Sequence, residues 1–212
     1  MKCEPLQIVN TKGCALGMML VKEMHDAHQP ALDALRLAAE AALRAAHGGC
    51  TSAALRQVPP FDAYAAYYRQ FGSTYHVASQ VASVAGGKSI PVALPPVAVM
   101  FIAELQNGVL TAAHDHDALR LPLDFRQADG TECYIALNGR EVHATRSDYL
   151  LADAAGVVSS ILRGPDQRTA VTGDTKNVLY VAYAPHGVAR AGLESHFASI
   201  QHMLSQVYQK TS

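Results

Sequence analysis

The chain has 212 residues, half of them hydrophobic and 17% charged, with a formal net charge of −1. That balance supplies apolar side chains for a sizeable core and excludes global disorder. It also excludes a general nucleic-acid coat, whose affinity rests on neutralising many phosphates, while leaving room for a local basic patch that reads one structured RNA.

Four cysteines (Cys3, Cys14, Cys50 and Cys133) are scattered without CxxC spacing, so neither a zinc ribbon nor a disulfide framework is expected. Free buried thiols in a reducing compartment are the expectation. The apolar stretch Cys14 to Val21 is interrupted by Gly17 and ends at Lys22-Glu23, too short to span a bilayer. It lacks a signal-peptide cleavage pattern, and a cytoplasmic location is expected.

Residues 5–24 carry β-branched and apolar runs on both sides of Thr11-Lys12-Gly13, which predicts a hairpin. From Pro30 to His47 the period becomes helical, with proline at the start and Gly48-Gly49 at the end. Asp33, Arg36, Glu40, Arg44 and His47 form one polar stripe, predicting a solvated face with i,i+4 pairs. Gln57-Val58-Pro59-Pro60 is the best break in the chain. It separates an N-terminal hairpin and helix (1–57) from a main domain (58–212), the two expected to pack as one structural unit. Helices are predicted over 61–71, 73–84 and 97–106, the last ending at Asn107-Gly108.

Leu119, Leu121, Leu123 and Phe125 alternate with polar residues, predicting a half-buried strand that Pro122 confines to an edge. Asp129-Gly130 leads into a strand over 132–137, and Asn138-Gly139 signals a hairpin. Further strands are predicted at 149–153, 157–162 and 178–184. Leu193, Phe197, Ile200, Leu204 and Val207, spaced 4, 3, 4, 3, close the chain on an amphipathic helix. Early helices and late strands predict an α+β fold, a mixed or antiparallel sheet flanked by helices.

Two segments concentrate polar chemistry. In His114-Asp115-His116-Asp117, imidazole beside carboxylate can orient a proton-transferring base or ligate a divalent metal. The same residues can equally cap a short turn before Leu119. No partner spacing of the HExxH kind accompanies them, and no metal is expected. The second segment runs from Ser159 to Thr169, a strand entering a Gly-Pro turn with Asp166, Arg163 and Arg168, whose guanidiniums can clamp a phosphate or carboxylate. Alternatively it is a surface turn with a local Asp–Arg pair. Tyr64, Tyr67 and Tyr68 with Arg69 could stack on bases, but a core stripe with hydroxyls reaching the rim is the preferred reading. No GxSxG elbow, GxGxxG or Walker-type loop is present.

Taken in order, several motifs resemble one family. They are Tyr67-Tyr68-Arg69-Gln70-Phe71-Gly72, Ala103-Glu104-Leu105-Gln106-Asn107, Leu110 to Asp115, Tyr149 to Asp153, Ser160 to Asp166 and Thr175 to Leu179. The family is the B3/B4 domain, the tRNA-binding and editing module of the phenylalanyl-tRNA synthetase beta subunit, and in particular its freestanding relatives. The resemblance covers residues 58–188. It implies a partner in the acceptor end of a tRNA or its aminoacyl ester, with neither DNA nor a membrane involved. It further implies hydrolysis of a misattached amino acid by a positioned water, without a metal or other cofactor. Carried over, the family's asparagine falls on Asn107, the aspartate of its His-Ala-Phe-Asp motif on Asp115, the acid of its Gly-Gly-Glu turn on Asp166 and its late threonine on Thr175.

The family's histidine falls on Ala112, with His114 two residues away; Pro165 replaces the second glycine, and the acid is Asp, so tyrosine specificity does not carry over. The candidate catalytic residues are therefore His114, Asp115 and Asp166. The candidate substrate contacts are Asn107, Asp117, Arg163, Gly164, Arg168, Thr169, Thr175 and Lys176. Two readings stay open: a deacylase acting in trans on misacylated tRNA, and a non-catalytic binding module for tRNA or an amino-acid-like ligand. Neither would aminoacylate by itself.

Overall fold

The backbone N–H and the hydroxyl of Thr11 both donate to the Cys14 carbonyl, at 2.9 and 2.7 Å, closing the hairpin between β2 (Gln7–Asn10) and β3 (Cys14–Lys22). The structure, a computed structural model, describes residues 1–208. β3 pairs antiparallel with β11 (Val178–Pro185) from Val21↔Val178 to Cys14↔Pro185. β11 pairs on its other edge with β4 (Thr111–Asp115), and β1 (Lys2–Cys3) adds to β3. These five strands are the first sheet. A late strand and an early one thus lie side by side at its centre.

A second antiparallel sheet has the order β10-β9-β8-β5, formed by β5 (Asp124–Gln127), β8 (Tyr149–Asp153), β9 (Gly156–Ser160) and β10 (Gly164–Pro165). The hairpin signalled by Asn138-Gly139 is the ribbon β6 (Cys133–Ile135) and β7 (Glu141–His143), joined to the second sheet by a bridge between Ala136 and Asp166. Among the described residues there are six α-helices: α1 (Gln29–His47), α2 (Ser52–Leu55), α3 (Phe61–Arg69), α4 (Val77–Ala85), α5 (Pro95–Asn107) and α6 (Arg190–Val207). The fold is α+β. Among the described residues no helix is long and apolar enough to cross a membrane.

β11 explains the layering. All eight of its residues are buried, because each face meets another layer. The Tyr180 hydroxyl donates to the Pro96 carbonyl of α5 at 3.2 Å, whereas the Tyr183 hydroxyl lies 2.6 Å from Ser159 of β9. With a side-chain period of two, alternate residues face helices and second sheet. On the helical side, Leu193, Phe197, Ile200, Leu204 and Val207 of α6 are all buried, each stabilising the fold by about 1.5–3 kcal/mol.

Gly17 is where α6 comes closest to β3: a Cβ there would sit 2.5 Å from Phe197 and 3.1 Å from Leu193. Gly17→Val is therefore expected to lower stability by about 2–3 kcal/mol through overpacking. Urea unfolding would show this as a lower midpoint at an unchanged slope.

Several sequence expectations change. Leu119–Leu123 is not strand: Pro122 has no N–H to donate, and Arg120 turns its own N–H to the Asp153 carboxylate at 2.7 Å. The remaining strand, β5, is an edge as expected. The helix predicted from Ser73 begins only at Val77. Glu40 is not solvated; it is 3% exposed, accepts from the Ile90 N–H at 2.8 Å and is flanked by Arg36 and Arg44. All four cysteines are free, but only Cys14 is buried; Cys50 and Cys133 are exposed.

Candidate ligand cleft

Tyr64, Tyr67 and Tyr68 set the cleft's position, and they do so as core residues. The Tyr64 hydroxyl donates to the Tyr183 carbonyl and accepts from the Leu110 N–H at 3.1 Å, fixing the chain where it enters β4. The Tyr67 hydroxyl donates to buried Asp148 at 2.7 Å, and Asp148 also accepts from the Leu162 N–H at 3.1 Å. Tyr68 donates to the Ile161 carbonyl at 2.7 Å. One helix thereby holds both β4 and the turn after β9, and its hydroxyls are occupied, which leaves none of these rings free to stack on bases.

Between these two held segments lies a cleft of about 280 Å³. One wall is Leu110, Thr111 and Ala112 at the start of β4, with Glu104 of α5. The other is the Ser159–Pro165 hairpin, and Tyr183 and His76 also line the cleft. The hairpin's tightness follows from its sequence. Ser160 pairs with Gly164, the Ser160 hydroxyl accepts from the Arg163 N–H at 3.1 Å, and Gly164 has a φ of +75°, a conformation that favours glycine. Arg163 is exposed at the rim, placing one cation at the mouth.

Inside the cleft, burial favours the neutral forms of Glu104 and His76. Burial pushes the Glu104 carboxyl up to about 8, against a single lowering contact from the Thr111 N–H at 2.8 Å. Desolvation holds the His76 imidazole below its ordinary value.

The candidate site residues fall into four groups. Arg163 and Gly164 line the cleft. His114, Asp166 and Thr169 form a buried hydrogen-bond chain behind its wall. The Thr169 hydroxyl donates to Asp166 and accepts from His114 Nδ1 at 2.8 Å; His114 Nε2 is 3.2 Å from the Ser159 hydroxyl, which is in turn bonded to Tyr183. Arg168 ties this chain to Asp153 at 3.0 Å and to Asp166 at 3.4 Å. Asp115, Thr175 and Asp117 make a third group at the far end of β4. There Asp115 caps the short 3₁₀ helix His116–Ala118 by accepting from the Asp117 N–H at 3.0 Å, and accepts from the Thr175 hydroxyl at 2.6 Å. Asn177 bonds Asp117 at 2.8 Å, and the neighbouring Lys176 is exposed. Asn107, finally, faces α6 and contacts His196 at 3.2 Å.

The serine–histidine–threonine–aspartate order looks like a nucleophile with its base, but its energetics oppose that use. His114 is fully buried, and burial together with the Arg168 charge drops its pKa to about 3. A general base works best near the operating pH; this imidazole has almost no proton affinity at neutrality. It also has both nitrogens engaged. Its evident work is to join β4, β9 and the 166–170 loop. Asp166 shifts the other way, raised by burial against the hydrogen bonds of Thr169 and the Arg168 charge. Ala112 lines the cleft, while His114 on the same strand face is covered by Thr169 and Ser159.

Sequence reasoning missed Glu104, His76 and Tyr183 as cleft residues. A carboxylate inside the apolar run Val97–Leu105 was the available signal for the first. Among the described residues no group of three or more His, Cys, Asp or Glu could hold a metal ion. A wider, more open groove of about 450 Å³ lies beside Asp124, Arg126, Glu132 and Asp153. Its two acids flanking Arg126, at 3.0 Å and closer, leave that cation already paired.

Comparison with known proteins adds a local likeness. Over 90 residues, 42% of this chain, the sequence is 33% identical to the phenylalanine–tRNA ligase beta subunit of Tropheryma whipplei (strain Twist). The chain spans 9% of that protein's length. Among solved structures, an N-terminal fragment of the phenylalanyl-tRNA synthetase beta subunit from Pyrococcus horikoshii is similar with a TM-score of 0.47 and 19% identity, over 53% of this chain and 40% of that one. No family model matches. In sequence, this is a chain that resembles part of a synthetase beta subunit.

Proposed function

We propose that the chain is a cytoplasmic module that holds the aminoacyl end of a tRNA in the Glu104–Ala112–Ser159–Pro165 cleft and cleaves misattached amino acids from it in trans. The observation that carries this reading is the cleft itself. At about 280 Å³ it lies just below the roughly 300–1,000 Å³ of pockets for drug-sized ligands, which suits one amino acid joined to a ribose. The sequence similarity to a tRNA ligase subunit supports the same choice of ligand.

In this reading Arg163 meets a phosphate of the acceptor end, and Gly164 lets the hairpin backbone approach the ester. His114, Asp166 and Thr169 act as positioning residues, holding Ser159 and the hairpin in place. Asp115, Asp117 and Thr175 hold the end of β4, and Arg168, tied to two acids, belongs to the framework. Catalysis falls to a water oriented by hydroxyls and backbone groups on an ester already activated, a task for which alignment and preset dipoles suffice.

The test is deacylation of a panel of mischarged tRNAs. At least one ester should be cleaved about tenfold or more faster than in buffer, and Arg163→Ala should raise KM with little change in kcat. A second reading, binding without turnover, is favoured by the engagement of every imidazole and carboxylate in the His114–Asp166 chain. It predicts retention of tRNA that weakens steeply with salt and no ester cleaved above buffer. Failure of both hydrolysis and retention removes tRNA altogether.

A further inference from the structure

Glu104 sits in the last turn of α5, 4% exposed, yet it lines the cleft. Its only hydrogen bond among the described residues is the one its Oε2 accepts from the Thr111 N–H. The second oxygen is left for the cleft. No cation lies against it: the carboxyl shares its surroundings with Tyr64 and Tyr68 of α3 and with Tyr75, all raised by burial and in part by Glu104 itself. His196 of α6 is bonded to the same Thr111, and His76 and Arg163 line the same cleft. His196 is itself neutral, its Nδ1 bonded to Asn107 and its Nε2 at 2.7 Å from the Thr111 hydroxyl, which donates to the Val109 carbonyl. A carboxylate with one backbone donor and no cation is far costlier to bury than the acid.

We propose that Glu104 is a recognition residue of the cleft, donating an O–H hydrogen bond from its free carboxyl oxygen to an uncharged acceptor oxygen of the ligand, such as the carbonyl of an ester. This deepens the functional reading above and rests on it. Because the donor is a carboxylic acid, binding is lost when the proton leaves, and the burial that raises Glu104 to about 8 places the loss just above neutrality. The sign follows from the donor: occupancy is full at low pH and falls as pH rises through the folded value.

The experiment uses uncharged probes, the N-acetyl amides of L-phenylalanine, L-tyrosine and L-leucine, titrated by NMR into the full chain from about pH 6 to about pH 9. The best wild-type binder should lose about tenfold in affinity across the upper half of that range. Glu104→Gln, which keeps an acceptor for the Thr111 N–H and presents a non-titrating N–H donor, should bind with a flat profile. Glu104→Ala should bind weakly at every pH. A flat wild-type profile, or a Gln variant that follows the wild-type slope, overturns the proposal. If no probe binds the wild type, the amino-acid reading of the cleft fails. The ¹³C carboxyl titration of Glu104 then decides this inference alone: a midpoint near 8 retains the donor, and one near the ordinary 4.5 ends it.

Discussion

Urea unfolding followed from pH 8 to pH 4.5 should show stability passing through a maximum close to pH 6.5. Glu104 governs the alkaline side. Its folded value of about 8 exceeds the ordinary 4.5, so the native state holds a proton the unfolded chain has lost, and stability falls as pH rises from 6.5 to 8. His114 and His196 govern the acid side. Their folded values of about 3 and about 4 lie below the ordinary 6.5, so the unfolded chain takes up two protons that the native state refuses, and stability falls as pH drops.

Between 4.5 and 6.5 Glu104 offsets one of those protons, leaving a net loss of about 1.4 kcal/mol per pH unit; the alkaline slope has the same size. Asp148 and Asp166, both raised by burial, act in Glu104's sense, and His76 in the histidines'. His196→Gln should nearly cancel the acid slope, and Glu104→Gln the alkaline one, whatever either does to absolute stability. A wild-type profile flat from 6.5 to 8 would show that Glu104 is not a buried acid.

Ala112→Leu should abolish function without unfolding the chain. Ala112 lines the cleft from β4, opposite the Ser159–Pro165 hairpin. An isobutyl group there would occupy the space assigned to the aminoacyl group, weakening binding by about 100-fold, or roughly 2.8 kcal/mol. Ala154→Leu on the rim of the wider groove is the matched control and should change nothing. Equal losses in both variants, or activity surviving in Ala112→Leu, would move the site elsewhere. Thermal melts of the three proteins keep binding loss separate from unfolding.

The legible parts of the sequence were those with a physical period or a strong local signal. The 4, 3, 4, 3 spacing from Leu193 to Val207 matches a helix against the sheet, and all five residues are buried there. Asn138-Gly139 gave its hairpin because Gly139, at a φ of +76°, takes the left-handed position of the three-residue turn between Ala136 and Arg140. The tyrosine stripe read correctly as core. β4 did not announce itself: Thr-Ala-Ala-His-Asp has little strand propensity, and it is extended because β11 lies beside it. Glu40 was misjudged and Glu104 missed for one reason. Helical spacing says which face a residue shares, but not what folds over that face, and Ile90 and the β9–β10 hairpin come from elsewhere in the chain.

The cleft was half legible. The motif order drew attention to β4 and to the Ser160–Asp166 turn, and these are the two walls of the cleft. Of the named residues, His114 and Asp166 lie behind the cleft wall, and Asp115 lies at the far end of β4. Asp115 lies three residues beyond Ala112, roughly 10 Å at about 3.3 Å per residue, and His114 points at Thr169 instead of a ligand. Sequence alone cannot separate a polar side chain that faces a cavity from one that staples the wall behind it.

The most direct test is an amide-detected NMR titration with a non-hydrolysable 3′-aminoacylamido-adenosine. The account predicts shifts concentrated at Glu104, Thr111, Ala112 and Ser159–Gly164, with the far end of β4 around Asp115 and Thr175 unmoved. Shifts confined to Asp115–Asp117 and Thr175–Asn177, or to the groove beside Asp124 and Arg126, would contradict it.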